Sequence, residues 1–427
     1  MKTAIVNGRL MDPGLEIDGQ FDIMFENGTI SEVSAPGALD AAGAEVHDAQ
    51  GRWVLPGFTD LRVHVREPGQ EYKGDIESAS KAAVAGGFTA IVATASGPIT
   101  MDTPEMIEHV IRKGRALGIC RVEAATSITQ GLEGRALTEV ATAKRAGAKI
   151  ISEGAHCVAN AQLMRSALEY ATDFGLTVIA YPEEETLSAS GHMHEGVMST
   201  TLGLKGIPRA AETTIVSRDI ALAELTGCTL HISQLSCAES VDLVRQARTR
   251  GTTVSADVSP NHLVFTDNDL SGFDTNLKVY PPLREASDRD ALWAGLLDGT
   301  ISCIATGHAP QTILEKDHTF GAASSGALGL QTALSAVLTA TRGGPSEPSC
   351  VIKALSHGPA TVLNGAYLGV ATGAPASLVV FDPKAEWNVK AADLVSKSKN
   401  SPFLSQPRAL SGRVEKTFFD GRLVYSR

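Results

Sequence analysis

The sequence has no C-x-x-C pair, no block of like charges and no long apolar run. Its six cysteines lie far apart, which in a chain of 427 residues indicates reduced core thiols rather than a disulfide framework. Lysine and arginine number 37 against 48 acidic residues, and the net charge of −11 argues against nucleic acid or an anionic membrane as the main partner. No segment reaches about 18 uninterrupted apolar residues, and the first residues lack a signal-peptide core, so we expect a cytoplasmic protein.

Two kinds of hydrophobic pattern divide the chain. Residues 1–54 and 365–427 alternate short apolar runs with turn signals, which is typical of β-hairpins. Residues 55–364 instead alternate strand-like apolar runs with longer helical patterns, and no glycine-rich nucleotide loop follows an early strand. We therefore predict an α/β fold, with a (β/α)8 TIM-type barrel over residues 55–364 and a small composite β domain from residues 1–54 and 365–427.

Functional groups of such a barrel lie at the carboxyl ends of its strands. The residues near the ends of the apolar runs are Arg62, His64, Ser96, Glu153, Tyr181, His231, His262 and Gly307. A hydrolytic metal site needs several histidine and carboxylate ligands, an open position for water and usually a carboxylate base. These residues supply too few ligands for a site of that kind.

Several long segments resemble, in order and spacing, the type I dihydroorotases of the amidohydrolase superfamily. They include "GFTDLRVHVREPGQEYKGD", "LHISQLSCAESVDLVRQAR", "KVYPPLREASDRD" and "SKSKNSPF". The resemblance implies an amidohydrolase barrel whose metal ligands and catalytic aspartate come from six positions. In this chain those positions carry Arg62, His64, Glu153, Tyr181, His231 and Gly307.

Three of these six positions have lost their metal-binding group. Arg62 places a permanent cation where a metal ion would lie. Tyr181 would have to lose a proton whose ordinary pKa is ~10, and Gly307 has no side chain to ligate a metal or take a proton. The sequence therefore predicts no metal, no cofactor and no catalytic residue, with His64 and His231 as residual ligand-type side chains.

Other features of the family pocket are partly kept. Arg66 matches the arginine that binds the substrate carboxylate in relatives, and it either binds an anion as a vestigial site or forms a salt bridge. Arg62 and Glu153 could form an internal ion pair in place of metal and ligand. His192 and His194 form a local His-x-His, for which a solvated loop is a better interpretation than a metal site.

These losses predict a catalytically inactive dihydroorotase homologue, a pseudoenzyme. The resemblance implies that it serves as the non-catalytic assembly subunit of aspartate carbamoyltransferase in de novo pyrimidine biosynthesis, as a homodimer within a hetero-oligomer. Two alternatives stay open. One is an active amidohydrolase whose altered mononuclear metal site, held by His64, Glu153 and His231, hydrolyses a cyclic amide. The other is a small-molecule sensor that binds an anion through Arg66.

Overall fold

The strands of this computed structural model, which describes residues 2–341, 348–406 and 408–427, form two large sheets and one small one. In chain order they are β1 Lys2–Asp12, β2 Ile17–Glu26, β3 Thr29–Ser34, β4 Glu45–Asp48, β5 Trp53–Pro56, β6 Phe58–Val63, β7 Phe88–Ala93, β8 Arg121–Thr126, β9 Ile150–Ser152, β10 Thr177–Ala180, β11 Met193–His194, β12 Gly206–Ile207, β13 Leu230–Ile232, β14 Val254–Val258, β15 Cys303–Ile304, β16 Leu378–Trp387, β17 Leu410–Phe419 and β18 Arg422–Ser426.

Eight parallel strands form the barrel, in the order β6-β7-β8-β9-β10-β13-β14-β15. A bridge between Val63, at the end of the first strand, and His308, just after the last strand, closes the sheet. Every residue of β6 and β7 is buried, because barrel strands are covered by side chains inside and by helices outside. The predicted (β/α)8 fold is confirmed.

The second sheet combines both ends of the chain, in the order β18-β17-β16-β5-β1-β2-β3, with β4 paired to β1. Strand β5 joins the two ends, since it runs parallel to β1 and antiparallel to β16. The predicted composite β domain is therefore present. The boundaries given for it, at residues 54/55 and 364/365, stay predictions.

Helices cover the outside of the barrel. In chain order they are α1 Ile76–Ala85, α2 Pro104–Leu117, α3 Val140–Arg145, α4 Ala161–Asp173, α5 Glu185–Ser188, α6 Val197–Leu202, α7 Ala210–Thr226, α8 Ala238–Thr249, α9 Pro260–Val264, α10 Ala286–Leu297, α11 Ile313–Lys316, α12 Ala333–Ala340, α13 Pro348–Leu355, α14 His357–Val362 and α15 Pro402–Ser405.

Local sequence explains where the longer helices begin and which face they bury. Asp75 accepts a hydrogen bond from the Ser78 amide at the start of α1, and Asn160 caps α4 in the same way. In α8 the buried face contains Val241, Val244 and Ala247, which recur at helical spacing. These helices pack their apolar faces on the barrel, and its carboxyl-terminal mouth is formed by the loops and the short helix α9.

The main hydrophobic core lies between the barrel strands and their helices. Phe58 and Phe88, on neighbouring strands, pack edge to face with ring centroids 5.7 Å apart. All six cysteines are free thiols, as the sequence indicates. Within the described ranges, no helix combines the length and the apolar character needed to cross a bilayer.

Candidate active site at the barrel mouth

A cavity of ≈ 260 Å³ opens at the carboxyl ends of the barrel strands. Six of the residues singled out from the sequence line it: Arg62, His64, Arg66, Tyr181, His262 and Gly307. Glu153 and His231 are not among its lining residues. The strand ends bring the six together because parallel strands of a barrel all finish at the same rim.

Arg62 is a buried cation, 5 % exposed, at the inner wall of the cavity. Its Nη1 donates to the Gly154 carbonyl at 2.9 Å, and its guanidinium carbon lies 4.6 Å from the centroid of the Tyr181 ring. Its Nε has no hydrogen-bond partner. Burial lowers the pKa of Arg62 from its usual value, but a guanidinium remains charged near neutral pH.

The ion pair expected between Arg62 and Glu153 is not formed. The Glu153 carboxylate accepts hydrogen bonds at 2.9 Å from the amides of Ile128 and Thr129, and a third from the Thr129 hydroxyl. These donors satisfy the carboxylate within the β8–α3 loop, so the expectation was wrong. Burial raises the pKa of Glu153, and the bonds from Thr129 and Ile128 oppose that rise.

Tyr181 remains a neutral phenol. Burial raises the pKa of its hydroxyl well above the ordinary value, and the nearby Arg62 offsets this only in part. A phenol that keeps its proton is a poor metal ligand. Its ring instead gives the Arg62 guanidinium an aromatic face to lie against.

His231 lies inside the barrel below the cavity, with no exposed surface. Its Nδ1 is 2.7 Å from the Ser255 hydroxyl, and its Nε2 is 2.9 Å from the Asp257 carboxylate. Both ring nitrogens are therefore engaged by protein groups. A metal ion could bind His231 only by displacing one of these partners.

His64 has one ring nitrogen engaged and one open. Its Nδ1 lies 3.2 Å from the Thr94 hydroxyl, whereas no described residue bonds its Nε2. Burial, and then the charges of Arg66, Arg62 and His308, lower the pKa of His64 well below its usual value. His64 is thus a neutral imidazole at physiological pH, with a free nitrogen in a side chain that lines the cavity.

Arg66 is the second cation of the cavity wall. Its backbone is left-handed, with φ of 65°, and its Nε donates to the Pro310 carbonyl at 3.0 Å. Among the described residues it forms no ion pair, because the nearby Glu315 carboxylate lies 2.6 Å from Lys73 Nζ. The sequence left two interpretations of Arg66, an anion site and a salt bridge. The salt bridge is not observed among the described residues.

The metal centre implied by the family resemblance does not fit these residues. The positive charge of the Arg62 guanidinium lies at the mouth and repels a metal ion. Glu153 and His231 are already hydrogen-bonded to other protein groups. At Gly307 an added Cβ would lie 2.3 Å from Gln234 Nε2, so the Gln234 amide fills the place of the family's last aspartate. In the mononuclear set of His64, Glu153 and His231, His64 keeps an open Nε2, but Glu153 and His231 would have to give up their protein partners to bind a metal.

One cluster of metal-ligand type lies elsewhere in the described residues, formed by His194, Glu285 and Asp288. Arg209 donates to both carboxylates of this cluster, and Arg284 donates to His194 Nδ1 at 3.1 Å. His194 is buried rather than part of a solvated loop, so that interpretation was wrong. Two guanidinium groups occupy the place that a cation would take.

Two polar residues of the site escaped the sequence reasoning. Asp257 is fully buried and accepts hydrogen bonds from His231 and from the backbone N–H of Gln234. Gln234 itself lines the cavity. Asp257 could have been found, because it lies near the end of the apolar run "TVSADVS", as the strand-end rule requires. No sequence signal shows that Gln234 faces Gly307.

Comparison with known proteins gives the family. The chain is 42% identical, over its whole length and that of the relative, to a dihydroorotase of Pelobacter propionicus. It is 41% identical to a dihydroorotase of Trichlorobacter lovleyi, again over the full length of both. The chain belongs to the dihydroorotase-like family of amidohydrolases. A sequence model of the Dihydro-orotase-like family matches residues 51–240 of this family member.

Solved structures with the same fold include enzymes named for other cyclic amides. An L-hydantoinase of Arthrobacter aurescens superposes with a TM-score of 0.88 at 22% identity, covering 99% of this chain and 96% of the hydantoinase. A dihydropyrimidinase of Brevibacillus agri gives 0.85 at 21% identity, covering 100% and 95%. At this identity the likeness shows the amidohydrolase fold alone.

The prediction of a pseudoenzyme that serves as a non-catalytic subunit is contradicted by these relatives. Full-length relatives about 42% identical carry the name dihydroorotase, which favours the alternative of an active amidohydrolase over an inactive subunit. The prediction equated the loss of metal ligands with the loss of a reactive pocket. The mouth of this barrel still contains a cavity. It is lined by two guanidinium groups and by the His64 imidazole, whose Nε2 has no hydrogen-bond partner among the described residues.

Proposed function

We propose that this chain is an amidohydrolase that opens or closes a small cyclic amide carrying a carboxylate, with dihydroorotate as the first substrate to test. The names of its full-length relatives support this reaction class. The observation that carries the proposal is the pairing of Arg62, a buried guanidinium, with His64, a neutral imidazole, at one cavity wall.

Hydrolysis of a cyclic amide needs a group that stabilises the carbonyl oxygen and a group that takes a proton from water. As water attacks the carbonyl carbon, negative charge develops on the oxygen, and the Arg62 guanidinium can stabilise it. His64 Nε2 accepts the proton of the attacking water and returns it to the ring nitrogen as the carbon–nitrogen bond breaks. The depressed pKa of His64 makes it a weak base, so we expect slow turnover.

Substrate orientation falls to Arg66. The resemblance implies that this arginine binds the substrate carboxylate, and its guanidinium is free of ion pairs in the described residues. A charge-assisted hydrogen bond to a carboxylate is roughly twice as strong as a neutral one. Arg66 would thereby hold the amide carbonyl towards Arg62 and His64.

The test is an assay of the purified chain with dihydroorotate and with the open ureido acid, each with and without a chelator. Slow turnover that persists in chelator and is lost in His64→Ala is expected. His192→Ala is the matched control, since His192 lies outside this cavity and should leave the rate unchanged. Failure of both reaction directions to exceed the buffer rate would refute the proposal.

Association with aspartate carbamoyltransferase, as a homodimer in a hetero-oligomer, remains a proposal that rests on the family resemblance. It is independent of whether the barrel mouth turns over substrate. Coexpression of the two chains and measurement of the complex mass test it. Two separate masses under native conditions would rule it out.

A further inference from the structure

The cavity at the barrel mouth has positive charge without negative charge. Its lining includes two arginines, Arg62 and Arg66, and none of its lining residues is an aspartate or glutamate. A cavity of this kind stabilises anions and repels cations.

The guanidinium of Arg62 has one nitrogen, Nη2, available to a ligand. Nη1 donates to the Gly154 carbonyl, Nε is buried and inaccessible, and no described residue accepts from Nη2. A buried cation without a charged partner is unfavourable, so an anion that accepts a hydrogen bond from Nη2 would stabilise Arg62.

The nearest carboxylates to Arg62 are committed to other groups. Asp60 accepts from the Thr306 amide at 3.1 Å, from the Thr306 hydroxyl and from the backbone amide of Arg62. Asp257 accepts from His231 and from the Gln234 amide. Both acids influence the guanidinium only through space, without an ion pair.

We propose that Arg62 turns the former metal position into a carboxylate receptor, so that Arg62 and Arg66 together bind a small dicarboxylate without any metal ion. One carboxylate accepts a hydrogen bond from Nη2 of Arg62, and the other lies against Arg66. Cavities for drug-sized molecules run from ~300 Å³ upwards, and the ≈ 260 Å³ here suits a smaller ligand. The natural ligand, which rests on the proposed function, is then the open-chain dicarboxylate rather than the cyclic monocarboxylate.

Binding of unreactive acids tests the receptor apart from turnover. Succinate, with two carboxylates, and butyrate, with one on a chain of equal length, are titrated calorimetrically into the chain in chelator-containing buffer. Succinate should bind at least tenfold more tightly than butyrate. In Arg62→Met the preference should disappear, and in Arg66→Met both acids should bind more weakly.

Two further variants keep the test decisive. Arg245→Met removes an arginine that pairs with Asp298 on the outer helices, and should leave the succinate preference intact. If Arg62→Met does not fold, Arg62→Lys retains the charge without the planar guanidinium that places Nη2, and should still lose most of the preference.

Equal affinity of the wild-type chain for the two acids, or a succinate preference that survives in the Arg62 variants, would overturn the receptor. Loss of succinate binding in chelator would overturn it too, because that result would place a metal ion at the mouth. A succinate preference without turnover would refute only the proposed function. Turnover in chelator without the preference would refute only the receptor.

Discussion

His231 Nε2 lies 2.9 Å from the Asp257 carboxylate, and neither side chain has any exposed surface. The pair crosses the barrel interior between β13 and β14, just below the cavity. A position that binds metal in the resembling family thus serves here to hold the barrel together.

His231→Ala should therefore destabilise the protein. The substitution leaves a buried carboxylate short of one donor, and breaking a buried pair of this type costs about 3–5 kcal/mol. Urea denaturation measures the free energy of unfolding. His192→Ala, on a loop outside the barrel, should stay within about 0.5 kcal/mol of wild type. Equal loss in the two variants would contradict a specific role for the pair.

Gly307→Asp should not restore a metal centre. Gly307 has φ of 60°, where a residue with a side chain is strained by about 1–2 kcal/mol, and its Cβ would meet the Gln234 amide. We expect a lower free energy of unfolding and zinc well below one ion per chain by elemental analysis.

Gly251→Asp provides the control for Gly307→Asp, because Gly251 also has a positive φ but no atom within 4 Å of an added Cβ. The two variants separate backbone strain from crowding by Gln234. Stoichiometric zinc in Gly307→Asp would show that Arg62 does not exclude a metal.

The rate should depend little on pH near neutrality. Burial, with the charges of Arg66 and Arg62, holds the pKa of His64 well below 6.5, and the base works in its neutral form. Activity should thus be full above the ordinary histidine range and fall only in strongly acidic buffer. A profile of kcat/KM against pH measures this. A break near pH 6.5 would assign the proton transfer to another group.

Asp60 should make the protein less stable as pH rises. Burial raises its pKa from 3.8 to about 7, so the folded state binds the proton more tightly than the unfolded chain. This contribution is fully present below pH 3.8 and is lost as pH rises through 7. Asp60→Asn, which cannot ionise, should lose less stability between pH 5 and pH 8.

The measurement is the free energy of unfolding of wild type and Asp60→Asn across that range. Their difference should change by at most about 1.4 kcal/mol per pH unit, the limit for one proton. Other titrating groups, such as Asp219, occur in both proteins and cancel in the difference. Parallel curves for the two proteins would show that Asp60 does not titrate there.

The barrel and the terminal sheet could be predicted from the sequence because their signals are local. Alternating apolar runs and helical patterns specify strands and helices, and Val241, Val244 and Ala247 mark the buried face of α8. The strand-end rule located Arg62, His64, Tyr181 and Gly307, which share one cavity. Each of these signals depends on residues close together in the chain.

Hydrogen-bond partners were beyond the reach of the sequence. The residue types allowed an ion pair between Arg62 and Glu153. The Glu153 carboxylate instead accepts hydrogen bonds from Ile128 and Thr129. The Arg62 guanidinium donates to the Gly154 carbonyl and lies against the Tyr181 ring. An arginine and a glutamate need not form an ion pair when other hydrogen-bond donors lie closer to the carboxylate. The prediction of an inactive protein was wrong for a similar reason. The loss of metal ligands does not show which groups replace them in the cavity.

The sequence by itself determined the fold, the family and the loss of the metal ligands, because hydrophobic periodicity and residue identity are properties of the chain. Only the tertiary structure decided what the lost site became. The closure of the barrel places Arg62 and Arg66 in one cavity and gives every nearby acid another partner. Electrostatic character belongs to groups brought together in space, and a linear sequence does not show which charges remain unpaired.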